Sequence, residues 1–243
     1  MTKIKAAFFG SDQYSKIVLD KLKQTDWLTI TDRDAPVGIL ASYGKIIPQK
    51  TLNQFPFGIL NLHPSLLPQY RGPSPVQTAL LEGKTKTGIT IMKMDEQIDH
   101  GPIVWQKEIT IKAAETAGQL YHRLFKLGAT ALIMLLPDYL NGKRKLKEQN
   151  HQKATYTEKL DRQSGFIPNR QLFSLPTATI RKLQAFSPWP GIWTEIMVKN
   201  QPKRLKILQA HLDNKQLILD EVQLEGKKKV SFKQLLEGYG PVF

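Results

Sequence analysis

Hydrophobic positions along the chain switch between two periods, and the switches mark out a series of elements. Residues 3–9 form an apolar run that ends at Gly10-Ser11-Asp12, and predict a strand entering a core. In residues 14–22, Ile17, Val18, Leu19 and Leu22 recur at helical spacing, so strand, tight turn and helix open a βαβ unit. Residues 27–30 and 37–41 read as two more short strands, with only the six residues 31–36 between them. Parallel neighbours in a sheet need a crossover of roughly a dozen residues. The first of the two is therefore expected as an edge strand or a piece of linker. The main step then runs from residues 3–9, over the helix, to residues 37–41.

Residues 42–48 follow as a loop at the carboxyl end of a strand, the place where open α/β sheets hold ligands. Next comes a run of Ile59, Leu60 and Leu62 carrying Asn61 and His63 two positions apart. In a strand, positions i and i+2 share a face, so amide and imidazole project together. Pro64 halts this strand, and Pro68 keeps the segment beyond it irregular. Residues 75–82 look helical and are capped by Gly83. Residues 88–94 alternate as a strand, enter a polar loop at 95–102 holding three acids and His100, and return as the second arm of a hairpin at 104–111.

Thr116 is the expected N-cap of a long helix over 117–136, whose buried side carries Leu120, Leu124, Leu127, Ala131 and Leu135; Pro137 is expected to end or kink it. Residues 141–152 are polar and basic and mark a boundary near 150. After residue 172 the pattern changes. One short helix at 178–185 precedes strand-like runs at 193–198, 205–208, 216–219 and 229–232, and such spacing suggests a small barrel. The expected division is 1–150 for the α/β part, 151–170 for a linker and 171–243 for the barrel.

Composition narrows the partners. At 41% hydrophobic and 9% aromatic residues the chain has the make-up of a globular protein. It has no apolar run of about eighteen residues, so no membrane span is expected. The start, Met1-Thr2-Lys3-Ile4-Lys5, lacks a signal-peptide pattern, and the absence of cysteine excludes disulfides, thiolate catalysis and Cys-ligated zinc. A cytoplasmic location is the expectation. The net charge of +14 favours a polyanionic partner, nucleic acid above all, over a plain basic coat or a general lysine bias. From His151 onward, 15 Lys and Arg stand against 8 Asp and Glu, which leaves +7 on the smaller part. A basic small barrel is a common nucleic-acid platform.

Asn61, His63 and Asp99 together suit acyl transfer to an amine. An amide N–H stabilises an oxyanion, an imidazole relays the proton of the attacking amine, and a carboxylate orients the imidazole. Spacing alone does not separate Asp99 from Asp95 or Glu96. A metal site built from His63, His100 and Asp99 stays open as a rival, as does a purely structural role for the histidine.

Residues 61–72 (Asn61-Leu62-His63-Pro64-Ser65-Leu66-Leu67-Pro68-Gln69-Tyr70-Arg71-Gly72) and 94–103 (Met94-Asp95-Glu96-Gln97-Ile98-Asp99-His100-Gly101-Pro102-Ile103) resemble the signature of the 10-formyltetrahydrofolate-dependent formyltransferases. The resemblance implies a reduced Rossmann-like domain with a mostly parallel sheet, then a small OB-like barrel. It puts Asn61, His63 and Asp99 on the family's catalytic positions, without a metal. It implies a folate pocket formed by Leu40, Ala41, Tyr43, Gly44 and Ile46 on one side, Ser65, Leu66, Leu67 and Pro68 below, and Met94, Asp95, Gln97 and Ile98 on the other wall. Residues 154–160, 185–191 and 204–210 are similar to the barrel of family members that formylate initiator methionyl-tRNA. That likeness implies 10-formyltetrahydrofolate as donor, initiator methionyl-tRNA as partner in translation initiation, and a monomer. The expected RNA contacts are Arg71, Lys143, Arg144, Lys145, Lys203, Arg204 and Lys206. One stretch departs from the family. Its usual second and third strands, their helices and a basic loop are missing between the first helix and Val37, or reduced to a remnant at residues 31–34. His100 stands where the family usually has Thr, and is read as a residue of the pocket rim.

Overall fold

A computed structural model describes residues 3–31 and 34–243; Asp32 and Arg33 of the expected remnant lie outside the described residues. The chain divides into two compact units. The first takes in the described residues up to Val76, with Thr85–Lys112 and Gln119–Lys159; the second takes in Gln77–Lys84, Ala113–Gly118 and Leu160–Phe243. The segment beyond residue 150 thus stays with the first unit as far as Lys159.

The first unit is built on a six-stranded sheet. Its elements are β1 (Ile4–Phe9), α1 (Gln13–Lys23), β2 (Leu28–Thr31), β3 (Val37–Ala41), α2 (Gln49–Leu52) and β4 (Ile59–His63); beyond α3 (Pro75–Leu81), most of which belongs to the second unit, come β5 (Lys86–Lys93), β6 (Ile103–Thr110) and α4 (Ala117–Leu140). The strand order is β2-β1-β3-β4-β5-β6. β1 pairs in parallel with β2 and β3, and β3 with β4, whereas β5 runs antiparallel to both β4 and β6. The mostly parallel α/β sheet expected from the sequence is therefore present.

Register explains how so short a link joins two strands that run the same way. β2 lies beside the first part of β1 (Ile4↔Leu28 to Ala7↔Thr31), and β3 beside its second part (Ala6↔Val37 to Phe9↔Leu40). The chain leaves β2 almost level with the point where it enters β3. It has to cross only the width of β1, roughly 10 Å at the usual strand spacing. The crossover rule applies to neighbours, and β2 and β3 are not neighbours. β2 is the edge strand.

β4 is buried along its whole length, and its two faces do different work. Leu62 faces α4 at Gly128, where a Cβ would come within 2.5 Å of Ile89 Cδ1 and 3.1 Å of Leu62 Cδ2. The missing side chain lets the helix settle onto β4 and β5, and the opposite face is left for Asn61 and His63. Pro137 does not end α4, which runs through it to Leu140. Proline removes one intrahelical donor there, and the helix closes a turn later on Gly142 (φ +67°). The Gly142 N–H bonds Tyr139 O at 3.1 Å and the Lys143 N–H bonds Asp138 O at 2.9 Å, the paired bonds of a left-handed C-terminal cap. Tyr139 Oη donates to Phe57 O at 2.5 Å, fastening this end of α4 to the approach to β4. Burial pushes the Tyr139 phenol up to about 12.

The second unit holds α5 (Asn169–Ser174), α6 (Pro176–Ala185), β7 (Ile192–Val198), β8 (Gln201–Asp213), β9 (Gln216–Leu224), β10 (Lys229–Ser231) and α7 (Phe232–Tyr239). Its four strands form an antiparallel sheet in the order β10-β9-β8-β7, in keeping with a small barrel-like domain. A single parallel bridge, Phe166 to Trp193, extends it beyond β7. β8 is far longer than the apolar run at 205–208, because register shifts around Gln209 break its alternation and its later positions are mostly exposed. Residue 232, expected to end a strand, instead starts α7. Ser231 and Gln234 cap that helix reciprocally, a signal present in the sequence.

Candidate active site

The site lies beyond the carboxyl ends of β1, β3 and β4. Asp12 caps α1 by accepting from the Tyr14 and Ser15 N–H groups. Ser11 Oγ donates to Ser42 O (3.0 Å) and Tyr43 O (2.8 Å), and Ser42 Oγ donates to Asp12 Oδ2 (2.5 Å). The loop after β3 is thus tied to the turn after β1. Leu40, Ile47 and Ile59 form an apolar floor, with Phe9, Tyr43, Leu52, Phe55 and Met94 packed against it.

Asn61 and His63 emerge from β4 at 7% and 5% exposure, and the loop after β5 brings Asp99 to them. Asn61 Nδ2 donates to Asp99 Oδ1 at 3.1 Å, and His63 Nδ1 lies 3.4 Å from the same oxygen. The Gly72 N–H donates to Asp99 Oδ2 at 2.8 Å, and His63 Nε2 lies 2.9 Å from Tyr70 O. A carbonyl only accepts, so Nε2 carries a hydrogen and donates to it. Nδ1 is the nitrogen turned toward Asn61 and Asp99. Asp99 sits at φ +49°, a left-handed conformation that costs a non-glycine residue of order 1 kcal/mol and persists only where its surroundings hold it.

Residues that sequence reasoning passed over support this cluster. Thr90 Oγ1 donates to Ser65 O (2.7 Å) and accepts from the Leu67 N–H (3.2 Å), while Gln106 Nε2 donates to Leu67 O (2.9 Å). The stretch Tyr70-Arg71-Gly72 is held by the chain at 155–157. Arg71 N–H donates to Thr155 O, Thr157 N–H to Arg71 O, and Tyr70 N–H to Thr155 Oγ1, each at 2.8 Å. These partners are isolated polar residues in strands and irregular chain, and neither period nor charge sets them apart.

Several expected contacts fall elsewhere. Arg71 is not available to nucleic acid: it is 1% exposed, with Nη2 bonded to Gln149 Oε1 (2.7 Å) and His151 Nδ1 (2.9 Å) and Nη1 to Tyr156 Oη (3.3 Å). Its Nε is buried without a partner, an omission that costs roughly 1–3 kcal/mol. Ser65 is fully buried with Oγ donating to Gln69 O, and Leu67 belongs to a core cluster with Met92 and Ile103, so neither forms a pocket wall. Ala41 is likewise buried completely. Ile46 and Ile98, at 86% and 61% exposure, stand out on the loops after β3 and β5. Tyr43 and Met94 are half-buried between those loops and the floor.

The rival metal grouping is not assembled. His100 Nδ1 pairs with Asp95 Oδ2 at 2.6 Å, and among the described residues no three His, Asp or Glu are placed to hold an ion. A cavity of about 330 Å³ next to the floor is lined by Leu52, Phe55, Ile59, Met94 and Asp95 among others. A larger one, about 880 Å³, opens at Phe9, Pro36 and Phe55. Lys143, Arg144 and Lys145 are exposed beyond α4. In the second unit Arg204 and Lys206 are exposed on β8 and Lys203 is half-buried; the Arg204 guanidinium lies 4.1 Å from the centre of the Trp193 ring. No helix among the described residues is long and apolar enough to cross a membrane.

Fold and site together are those of an α/β domain whose polar groups gather at the strand ends. Residues 9–136, more than half of the 243-residue chain, match the family model described as formyl transferase, and the chain belongs to that family. It is 41% identical over 178 residues to a methionyl-tRNA formyltransferase of Chloroflexus aurantiacus, which covers 73% of this chain and 56% of that protein. The chain spans about half the length of the curated relatives it matches. A solved methionyl-tRNA formyltransferase from Clostridium thermocellum superposes with a TM-score of 0.70 at 20% identity, over 91% of this chain and 98% of that one. HypX from Aquifex aeolicus, solved in complex with tetrahydrofolic acid, gives a TM-score of 0.75 at 13% identity, over 97% of this chain and 47% of that one. At these identities the two solved structures speak for the fold.

Proposed function

We propose that this chain transfers a formyl group from 10-formyltetrahydrofolate to the α-amino group of initiator methionyl-tRNA, in the cytoplasm, for translation initiation. The observation that carries the reading is the meeting of Asn61, His63 and Asp99 around one carboxylate oxygen. Membership of the formyl transferase family supports the transfer, and the names of the relatives support the acceptor.

The amine adds to the formyl carbon, and charge develops on the formyl oxygen; the tetrahedral adduct then collapses by breaking the bond from that carbon to N10 of the folate, which leaves as tetrahydrofolate with the proton the amine gave up. Asn61 Nδ2 carries two hydrogens; one goes to Asp99, and the other is left for that oxygen. His63 handles the proton of the amine at Nδ1, because Nε2 is held by Tyr70 O. Asp99 orients the ring and supports its charged form. For the donor, the floor of Leu40, Ile47 and Ile59 with Tyr43, Met94, Ile46 and Ile98 around it suits a flat heteroaromatic ring. We assign the α/β part to formyl transfer and the small sheet to tRNA, through Arg204, Lys206 and Lys203, with Lys143, Arg144 and Lys145 as further contacts.

The test is formylation of charged initiator tRNA by the folate donor, with uncharged tRNA as control. Formyl-methionyl-tRNA is the expected product. Formylation of an amino-sugar nucleotide in its place would overturn the choice of acceptor, and no product with either amine would overturn the activity.

A further inference from the structure

The Asp99 loop is gripped residue by residue from the segment at 149–151. Gln149 Nε2 donates one hydrogen to Asp99 O (2.9 Å) and the other to Gly101 O (2.7 Å). The ring of His151 stacks on that of His100 between them, with centroids 3.9 Å apart and planes 3° from parallel. Asp99, His100 and Gly101 are each held, by two side chains.

Both of those side chains are in turn held by one nitrogen. Arg71 Nη2 has two hydrogens; one goes to Gln149 Oε1 (2.7 Å), the other to His151 Nδ1 (2.9 Å). Arginine only donates, so the His151 nitrogen facing it is an acceptor and the ring's hydrogen is on Nε2. The Gln149 amide is fully used, in an environment that leaves it 5% exposed. Arg71 also sits between the two residues that hold the trio: Tyr70, whose carbonyl holds His63, and Gly72, whose N–H holds Asp99. The guanidinium is buried, its hydrogen-bond acceptors here are neutral, and Nε has none. A loop required only to pack would be served as well by an apolar side chain. What the fork supplies is direction: it sets Gln149, and Gln149 sets the left-handed backbone that aims the Asp99 carboxylate.

We propose that Arg71 and Gln149 are positioning residues for formyl transfer, with His151 as the second arm of the clamp, acting on the Asp99 carboxylate and through it on His63. The proposal rests on the formyl-transfer reading above. A carboxylate misplaced by about an ångström costs on the order of 100-fold in rate while substrate binding persists.

The experiment compares Gln149→Met, Arg71→Lys and Asp99→Asn in the full chain, with His63→Ala as control. Gln149→Met and Arg71→Lys are each expected to lower kcat about 10- to 100-fold, to leave KM for folate donor and acceptor within about threefold, and to shift the pH profile of kcat. Added to Asp99→Asn, Gln149→Met should lower kcat no further, since no carboxylate is left to aim. Circular dichroism and thermal melting identify any variant that does not fold. If Gln149→Met fails to fold, Gln149→Glu keeps the acceptor for Arg71 and replaces the two donors, and carries the same expectation. Unchanged kcat in a folded variant, or full additivity with Asp99→Asn, overturns the clamp. Near-normal turnover in His63→Ala overturns instead the reading on which it rests.

Discussion

Two parts of this molecule carry arginines that sequence reasoning treats alike, and the structure makes them opposites. Around the end of β4 each polar side chain has a fixed partner: Asn61 and Asp99, Gly72 and Asp99, Arg71 and Gln149. On β8 of the second unit, Arg204 and Lys206 stand in water, and Arg204 lies over Trp193. In the first place a displaced donor leaves a buried group unsatisfied, at a cost of roughly 1–3 kcal/mol. In the second, a charge in water acts with only about 1 kcal/mol on another at 4 Å and is screened by salt beyond roughly 10 Å. Burial turns arginine into a geometric part. Exposure leaves it a source of attraction whose exact placement matters little.

The sharpest way to break this contrast is at His63. Its ring is held on one side by Tyr70 O and faces Asp99 on the other. His63→Ala is expected to lower kcat for formyl transfer by about 100- to 10,000-fold, with folate donor affinity within a few-fold. Steady-state kinetics with equilibrium binding of the donor checks both. Turnover within a few-fold of the unaltered protein would show that the buried cluster is structural.

How much of this was legible beforehand differs between the two regions for a physical reason. The two-residue spacing of Asn61 and His63 projects them on one face, and that is visible in a string of letters. The loop at 95–102 was visible by its polarity, although spacing could not choose among its acids. The supports were not. Gln149, Thr90 and Gln106 matter through partners 16 to 78 positions away, and a lone polar residue carries no period. Arg71 was misjudged because charge predicts exposure unless a buried acceptor is known, and its acceptors lie 78, 80 and 85 positions on. In the second unit, the strand-like runs were legible where apolar residues alternate and illegible where β8 shifts register. The short link at residues 31–36 rightly marked β2 as an edge strand or linker, and it is the edge strand; how little distance the link spans shows only in the register of β2 and β3 against β1.

A smaller effect tests the other side of the comparison. Arg204→Ala with Lys206→Ala is expected to raise KM for the tRNA acceptor and to leave kcat at saturation unchanged. Each removed phosphate contact should flatten the dependence of log affinity on log salt by about 0.7 to 1. Melting should move little, because both side chains are exposed. Filter binding between 50 and 200 mM salt reads the slope. An unchanged slope would remove this face of β8 from the tRNA surface.

The smallest effect sharpens the contrast by exchanging salt for pH. Tyr139 closes the end of α4 onto the approach to β4 through its bond to Phe57 O, and burial raises its phenol from 10.0 to about 12. The unfolded chain therefore gives up this proton near pH 10 while the folded chain keeps it until about 12. In that window the unfolded state binds fewer protons, so stability falls as pH rises; below pH 10 the contribution is fully present. Tyr139→Phe is expected to cost about 1 kcal/mol at pH 8, the value of one hydrogen bond. The gap between the two proteins should then close and reverse between pH 10 and 12, as the unaltered protein alone loses this linkage. Every other group is common to the two proteins and cancels in the difference. Urea midpoints at pH 8, 10, 11 and 12, each at low and high salt, should show a gap that follows pH and ignores salt. A gap that closes with salt instead would mean that the end of α4 is open to water, and that the buried region does not reach as far as Tyr139.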